Sequence, residues 1–164
     1  MMNSSFSIRA ARPGDEGLLL GLILELARYE KLEHEVVATP GLLAEQLFGD
    51  QPLVHARLAE WEGEAVGFAL YFFNFSTFLA RPGLYLEDLF VKPAQRGQGI
   101  GKALLLSLAA EARRRGCGRM EWSVLDWNQP AIDFYRSLGA RPMDEWSVFR
   151  LDQAALAALT EKST

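Results

Sequence analysis

An α/β fold, a mixed central sheet flanked by helices, is what this 164-residue sequence predicts. Three observations carry the prediction. Several stretches repeat apolar residues at helical spacing, and others alternate or cluster them as strands do. Three consecutive strands in the middle of the chain are followed by βα units, which need a crossover and therefore helices on the sheet faces. No repeat, low-complexity segment or linker breaks the order, so one domain is expected over residues 5–160.

Phe6-Ser7-Ile8-Arg9-Ala10 alternates apolar and polar residues like a half-buried strand. Pro13-Gly14-Asp15 breaks it, and Asp15 is expected to cap a helix. Leu18, Leu19, Leu22, Ile23, Leu26 and Ala27 form one apolar face of that helix, which ends near Glu30. Lys31 to Val37 is a charged connector. Thr39-Pro40 supplies a cap and a first-turn proline to a short helix stopped by Gly49. Val54 to Glu60 and Ala65 to Phe75, joined through Glu62-Gly63-Glu64, read as a hairpin. An irregular aromatic loop is expected from Ser76 to Gly83, then a strand from Leu84 to Val91.

Pro93 ends that strand, and a glycine-dense turn leads into a helix with Ile100, Leu104, Leu105, Leu108, Ala109 and Ala112 on one face. Gly116 closes it. Met120 to Val124 is a strand. Asn128-Gln129-Pro130 opens a helix carrying Ile132, Phe134, Tyr135 and Leu138, which Gly139 ends. Trp146 to Leu151 reads as a last strand, and Asp152 caps a terminal helix reaching about Leu159.

Composition narrows the partners. The formal net charge is −4 with 23% charged residues, so the basic face that a nucleic acid or anionic membrane would want is not expected. The most apolar stretch, Val66 to Phe75, is about half a membrane span. Met1 to Ser5 is polar and shows no secretory pattern, which makes a cytoplasmic location the expectation. Cys117 has no second cysteine to pair with. His34 and His55 lack a second ligand at metal spacing, so no metal site is expected. Trp61, Trp122, Trp127 and Trp146 are read as core and interface residues.

The decisive segment is Val91-Lys92-Pro93-Ala94-Gln95-Arg96-Gly97-Gln98-Gly99-Ile100-Gly101-Lys102. A strand ends, a basic glycine-rich turn follows, and a helix begins, which aims backbone N–H groups and a helix dipole at a pyrophosphate. The dinucleotide pattern G-x-G-x-x-G fails, because Lys102 or Leu104 stands at its last glycine. The P-loop pattern fails as well: Arg96 replaces its first glycine and Ala103 its hydroxyl. What remains is Arg96-x-x-Gly99-x-Gly101 behind Leu86-Glu87-Asp88-Leu89-Phe90-Val91-Lys92-Pro93.

That block resembles the acetyl-CoA signature of the GNAT superfamily of N-acetyltransferases. Leu26-Ala27-Arg28-Tyr29-Glu30, Tyr85-Leu86-Glu87-Asp88, Arg96-Gly97-x-Gly99-Ile100-Gly101 and Trp127-Asn128-x-Pro130-x-x-x-Phe134-Tyr135 are, together and in this order, similar to the spermidine/spermine and thialysine N-acetyltransferases. The resemblance implies the GNAT fold and direct attack of an amine on acetyl-CoA in a ternary complex. It implies that Glu87 draws a proton from the amine and that Tyr135 protonates the departing sulfur. Asp88 is expected on the opposite sheet face, if the strand is regular.

The resemblance further assigns acetyl-CoA contacts to Leu89, Phe90 and Val91, to Arg96, Gly97, Gln98, Gly99, Ile100, Gly101 and Lys102, and to Asn128, Pro130 and Ala131. The Val91 N–H is a candidate donor to the developing oxyanion. Tyr29, Glu30, Glu87, Glu121, Trp122 and Ser123 are implied to line the amine site, where a carboxylate beside an aromatic ring suits an ammonium. Phe75-Ser76-Thr77-Phe78 replaces the acidic and tryptophan residues of the polyamine enzymes and resembles the thialysine branch. A lysine analogue or another short primary amine is expected before spermidine. The family also implies a homodimer, to which the segment around Trp146 to Phe149 could contribute. Acetylation of protein N-termini or lysines, and a non-catalytic acyl-CoA sensor, stay open as alternatives.

Overall fold

The computed structural model describes residues 5–161. The polar residues 1–4, where no secretory pattern is expected, lie outside them. Two compact units divide the chain, one up to Leu125 and the other from Asp126 onward.

The first unit holds one five-stranded sheet in the order β1-β2-β3-β4-β5. Its strands are β1 (Phe6–Ala10), β2 (His55–Trp61), β3 (Glu64–Ser76), β4 (Arg81–Val91) and β5 (Arg119–Trp122). Pairs β1/β2, β2/β3 and β3/β4 are antiparallel and β4/β5 is parallel, the mixed sheet expected from the sequence. A parallel pair cannot be joined by a tight turn, and here the crossover is helix α3 (Ile100–Arg114). Helices α1 (Glu16–Tyr29) and α2 (Pro40–Phe48) come between β1 and β2, with a short 3₁₀ turn at Glu33–Glu35 inside the charged connector.

Each sheet face has its own cover. Leu19 and Leu22 of α1 and Leu47 of α2 pack with Ala56, Leu58, Phe68, Leu70 and Phe90 into the main core. Burying each such leucine stabilises the fold by about 1.5–3 kcal/mol. Arg57, which alternates with Ala56 and Leu58, points the other way and reaches the Ser107 carbonyl and Glu111 of α3. Helix α3 therefore covers the second face, with Ile100, Leu104, Leu105 and Leu108 buried along it.

Two local expectations change in this unit. Asp15 does stand before α1, but its backbone is helical rather than extended and its side chain caps nothing. Its carboxylate accepts two bonds from Arg9, at 2.7 and 3.0 Å, and one from the Arg12 N–H at 2.8 Å. A guanidinium close by outcompetes the helix terminus for the same oxygens, and it holds the Asp15 carboxyl below the usual carboxylate range. The aromatic loop is also shorter than expected. β3 and β4 continue to Ser76 and Arg81, where they still pair, leaving only residues 77–80 as a turn. Leu79 N–H bonds Ser76 Oγ across it at 3.3 Å.

The second unit contains α4 (Gln129–Ser137) and α5 (Gln153–Glu161). Asp152 caps α5 as expected, accepting from the Ala155 N–H at 2.9 Å. The strand expected from Trp146 to Leu151 does not form. A strand exists by bonding a neighbouring edge, and among the described residues this segment has no ladder partner. Trp146, Val148 and Phe149 are 77%, 85% and 94% exposed.

Candidate active site

β4 outruns its parallel neighbour. It extends to Val91, whereas β5 pairs only with Gly83–Leu86. Past Leu86 the second edge of β4 therefore has no strand partner among the described residues. On the β3 side, the Lys92 N–H donates to the Val66 carbonyl at 2.8 Å. Backbone groups of successive strand residues aim at alternate edges. Leu89 and Val91 thus turn their N–H and C=O groups to the open edge, and Phe90 turns its own to β3. The Arg96 Nε–H, which donates to the Val91 carbonyl at 2.9 Å, agrees with this assignment.

Beyond the edge, residues 93–95 make a 3₁₀ turn and the glycine loop runs into α3. Gly97 and Gly99 have φ of +80° and +82°, which other residues adopt only with strain. Among the described residues, no atom beyond the adjoining residues of the chain comes within 4 Å of where a Cβ would stand at either, so a large anion can approach the backbone there. The first bond inside α3 runs from the Ala103 N–H to the Gly99 carbonyl at 3.0 Å. The N–H groups of Ile100, Gly101 and Lys102 thus have no acceptor within the helix, and Lys102 adds a cation in the first turn. The buried Ile100 and Leu104 fix this end of α3 against the sheet. Gly97 to Lys102 therefore suit the pyrophosphate implied by the sequence. Arg96 has other partners as well: its guanidinium lies 5.0 Å from the Tyr29 ring centre and 5.5 Å from that of Phe90.

Glu87 sits at an irregularity. Leu70 pairs with Asp88, but Tyr71 pairs with Leu86, leaving Glu87 as an extra residue on β4. Such a bulge ends the strict alternation of side chains. Asp88 stands opposite Leu70, a residue of the main core, and Glu87 lines a cavity of about 320 Å³ with Leu53, Val54, Leu70 and Phe72. Both acids thus belong to the face covered by α1 and α2. This overturns the expectation that Asp88 points away from Glu87, because that expectation required a regular strand.

The consequence is a group of like charges. Burial pushes the Asp88 carboxyl up to about 7, helped by the negative charges of Glu87 and Glu30. Glu30 is itself raised by burial. It follows the last residue of α1, where the chain turns through Lys31 with φ of +62° and the Leu32 N–H bonds the Ala27 carbonyl at 2.8 Å. Sequence reasoning named Glu30 and Glu87 as site residues and missed Asp88. A bulge leaves no mark in a pattern of apolar and polar letters.

The β5 residues divide between the faces. Glu121 pairs with Tyr85, and the Tyr85 hydroxyl meets Ser123 Oγ at 2.9 Å. The Tyr85 ring lies 5.2 Å from that of Phe72, so Glu121 and Ser123 join the Glu87 face. Glu121 also holds Arg119 at 3.3 Å. Trp122 pairs with Leu86 and falls on the opposite face. In the second unit, Asn128 caps α4 by accepting from the Ala131 N–H at 3.5 Å, with Pro130 in the first turn. Tyr135 lies one residue past Phe134 on that helix, their rings 5.5 Å apart. The Ala140 N–H bonds the Tyr135 carbonyl at 3.2 Å, which closes the helix through Gly139. Among the described residues no group of three His, Cys, Asp or Glu side chains is arranged to hold a metal ion, and no helix is long and apolar enough to cross a membrane.

Residues 22–140 match the model of the Acetyltransferase (GNAT) family. A thialysine N-epsilon-acetyltransferase of Sus scrofa is 41% identical over 170 residues, covering 97% of this chain and 99% of its own. An L-ornithine N5-acetyltransferase of Arabidopsis thaliana is 32% identical, covering 93% of this chain and 86% of its own. Among solved structures, an integron cassette protein from the mobile metagenome of V. cholerae superposes with a TM-score of 0.82 at 29% identity, over 98% of this chain and all of that one.

Proposed function

This chain belongs to the acetyltransferase (GNAT) family and is an N-acetyltransferase, and we propose that it acetylates the primary amine of a small lysine-like substrate held by Glu30, Glu87 and Asp88. Thialysine, or another short amine of that kind, is the acceptor we favour over spermidine. The observation that carries the reading is the β4 bulge. It puts two carboxylates on one face immediately before the open strand edge at Leu89 and Val91.

The residues divide the work. Acetyl-CoA, the acyl donor of this family, would lie along Leu89, Phe90 and Val91 with its pyrophosphate on Gly97 to Lys102. Asn128, Pro130 and Ala131 would add contacts from the start of α4. The carboxylates attract the ammonium, and Glu87 takes its proton through a water. The neutral nitrogen attacks the thioester carbon, the Val91 N–H stabilises the oxyanion, and as the C–N bond forms and the C–S bond breaks the nitrogen releases its second proton to solvent, where Glu87 also returns the first. The Tyr135 hydroxyl gives the thiolate its proton and recovers one from solvent. A phenol is protonated at neutral pH and can serve as that donor. We further propose one acetyltransferase domain over residues 5–160, a cytoplasmic location and a homodimer. The exposed Trp146, Val148 and Phe149 support the last.

The test is release of free CoA thiol by purified protein given acetyl-CoA and a panel of thialysine, lysine, short diamines, spermidine and an N-terminal peptide. We expect turnover of thialysine, reduced about 100-fold or more in kcat by Tyr135→Phe and by Glu87→Gln. Turnover of the peptide alone would replace the small-amine reading with a protein acetyltransferase. Tight CoA binding without any turnover would replace it with a sensor.

A further inference from the structure

Arg96 stands where both ligands of the proposed reaction would make contact. Its Nε–H donates to the Val91 carbonyl at 2.9 Å, on the open edge of β4 along which the donor would lie. The same guanidinium lies over the Tyr29 ring, 5.0 Å from its centre, and 5.5 Å from that of Phe90. A cation at that distance from an aromatic ring makes the contact that an ammonium would make there. Tyr29 ends α1 and precedes Glu30, one of the carboxylates whose charges act on one another. Phe90 lies two residues past Asp88, and both belong to the face covered by α1 and α2. One side chain therefore reaches from the donor edge to the acceptor side.

What holds Arg96 there is replaceable. The residue is exposed, and among the described residues no ion pair joins it to a carboxylate. A guanidinium gains more from a phosphate, with charge on both sides and room for two parallel bonds, than from one carbonyl and a ring face. The proposed pyrophosphate seat, Gly97 to Lys102, begins at the next residue. Lys92 reaches Glu25, one turn back on α1, at 3.7 Å, so the helix keeps a tie to the end of β4 when Arg96 leaves. We propose that Arg96 is an internal cation which, in the free protein, occupies the donor's carbonyl and the amine's aromatic contact, and that donor binding draws it to the pyrophosphate and opens Tyr29 to the amine. The two substrates then favour each other, by the same factor in either direction. This rests on the acetyltransferase reading of the same site and adds how that site is made ready.

Calorimetry with thialysine, alone and with saturating CoA, reads the coupling without turnover, because CoA carries no acetyl group to transfer. We expect CoA to tighten thialysine about 5-fold or more in the wild type. Arg96→Ala should bind thialysine more tightly than the wild type when CoA is absent and equally when CoA is saturating, so that the coupling disappears. Tightening by one factor in both states would be the mere loss of a repelling charge and overturns the proposal, as does a wild-type affinity that CoA leaves unmoved. Tyr29→Leu, at a partly exposed position, gives a second reading. It removes one partner of Arg96 and makes the guanidinium easier to displace, so CoA should bind about 2- to 5-fold tighter. Unchanged or weaker CoA binding overturns the proposal too. If thialysine is acetylated while the two ligands bind independently, only the role of Arg96 is lost. If CoA binds but no amine is bound or acetylated, the acceptor reading falls and takes this proposal with it.

Discussion

Glu111 and Asp88 are both withdrawn from water, on opposite faces of one sheet, and their surroundings differ in sign. Glu111, buried on α3, accepts from Arg57 and Arg115 at 2.7 Å each and also from Arg114. The Arg115 guanidinium and its neighbours hold its carboxyl below the usual range. Asp88 has Glu87 and Glu30 nearby and no ion pair among the described residues, and its carboxyl is pushed up to about 7. The first arrangement contributes to stability by satisfying a buried charge. The second leaves carboxylates with no ion-pair cation among the described residues, which is what a site for an amine requires.

The contrast can be broken from the Glu111 side with the largest effect. Glu111→Gln leaves Arg57, which is mostly buried, without its carboxylate and should destabilise the fold by about 3–5 kcal/mol in urea unfolding. A loss below about 1 kcal/mol would make the cluster an ornament of the surface. Asp88→Asn should do the reverse. The folded chain keeps a proton on Asp88 up to about pH 7, whereas the unfolded chain loses it near pH 4, so its ionisation lowers stability as pH rises between the two. We expect Asp88→Asn to be more stable by about 2 kcal/mol at pH 8. It should be nearly neutral at pH 4, and it should raise KM for the amine. Stabilisation that is equal at both pH values would assign the effect to packing. The smallest effect belongs to the exposed pair Arg28–Glu33, both half or more open to solvent. Arg28→Ala should change stability by no more than about 0.5 kcal/mol, and a larger change would mean that surface pairs count for more here than the buried cluster suggests.

Much of this could be read from the sequence. The five strands of the sheet and the helices around them follow from apolar periodicity and from caps such as Thr39 and Asn128, whose side chains accept the expected backbone bonds. The glycine loop was legible because Gly97 and Gly99 adopt backbone angles that few other residues tolerate. What escaped depends on partners that a local pattern of apolar and polar residues does not name. Asp15 was expected at the helix terminus and went to Arg9, because a guanidinium on β1 bids higher than an amide. Trp146 to Leu151 alternates like a strand but pairs with no strand among the described residues. The bulge at Glu87 is the costliest omission. It adds one residue to β4 relative to β3, and only the register between the two strands reveals it.

The unpaired stretch of β4 also places two clocks on one strand. The Phe90 amide is tied into the sheet by β3, while the amides of Leu89 and Val91 face the open edge on either side of it. Hydrogen exchange should therefore alternate along three consecutive residues, slow at the middle one and fast at its neighbours. A donor molecule lying along that edge would slow the fast pair and leave the slow one as it was. Residue parity on β4 thus becomes a built-in gauge of occupancy, readable without any measurement of turnover.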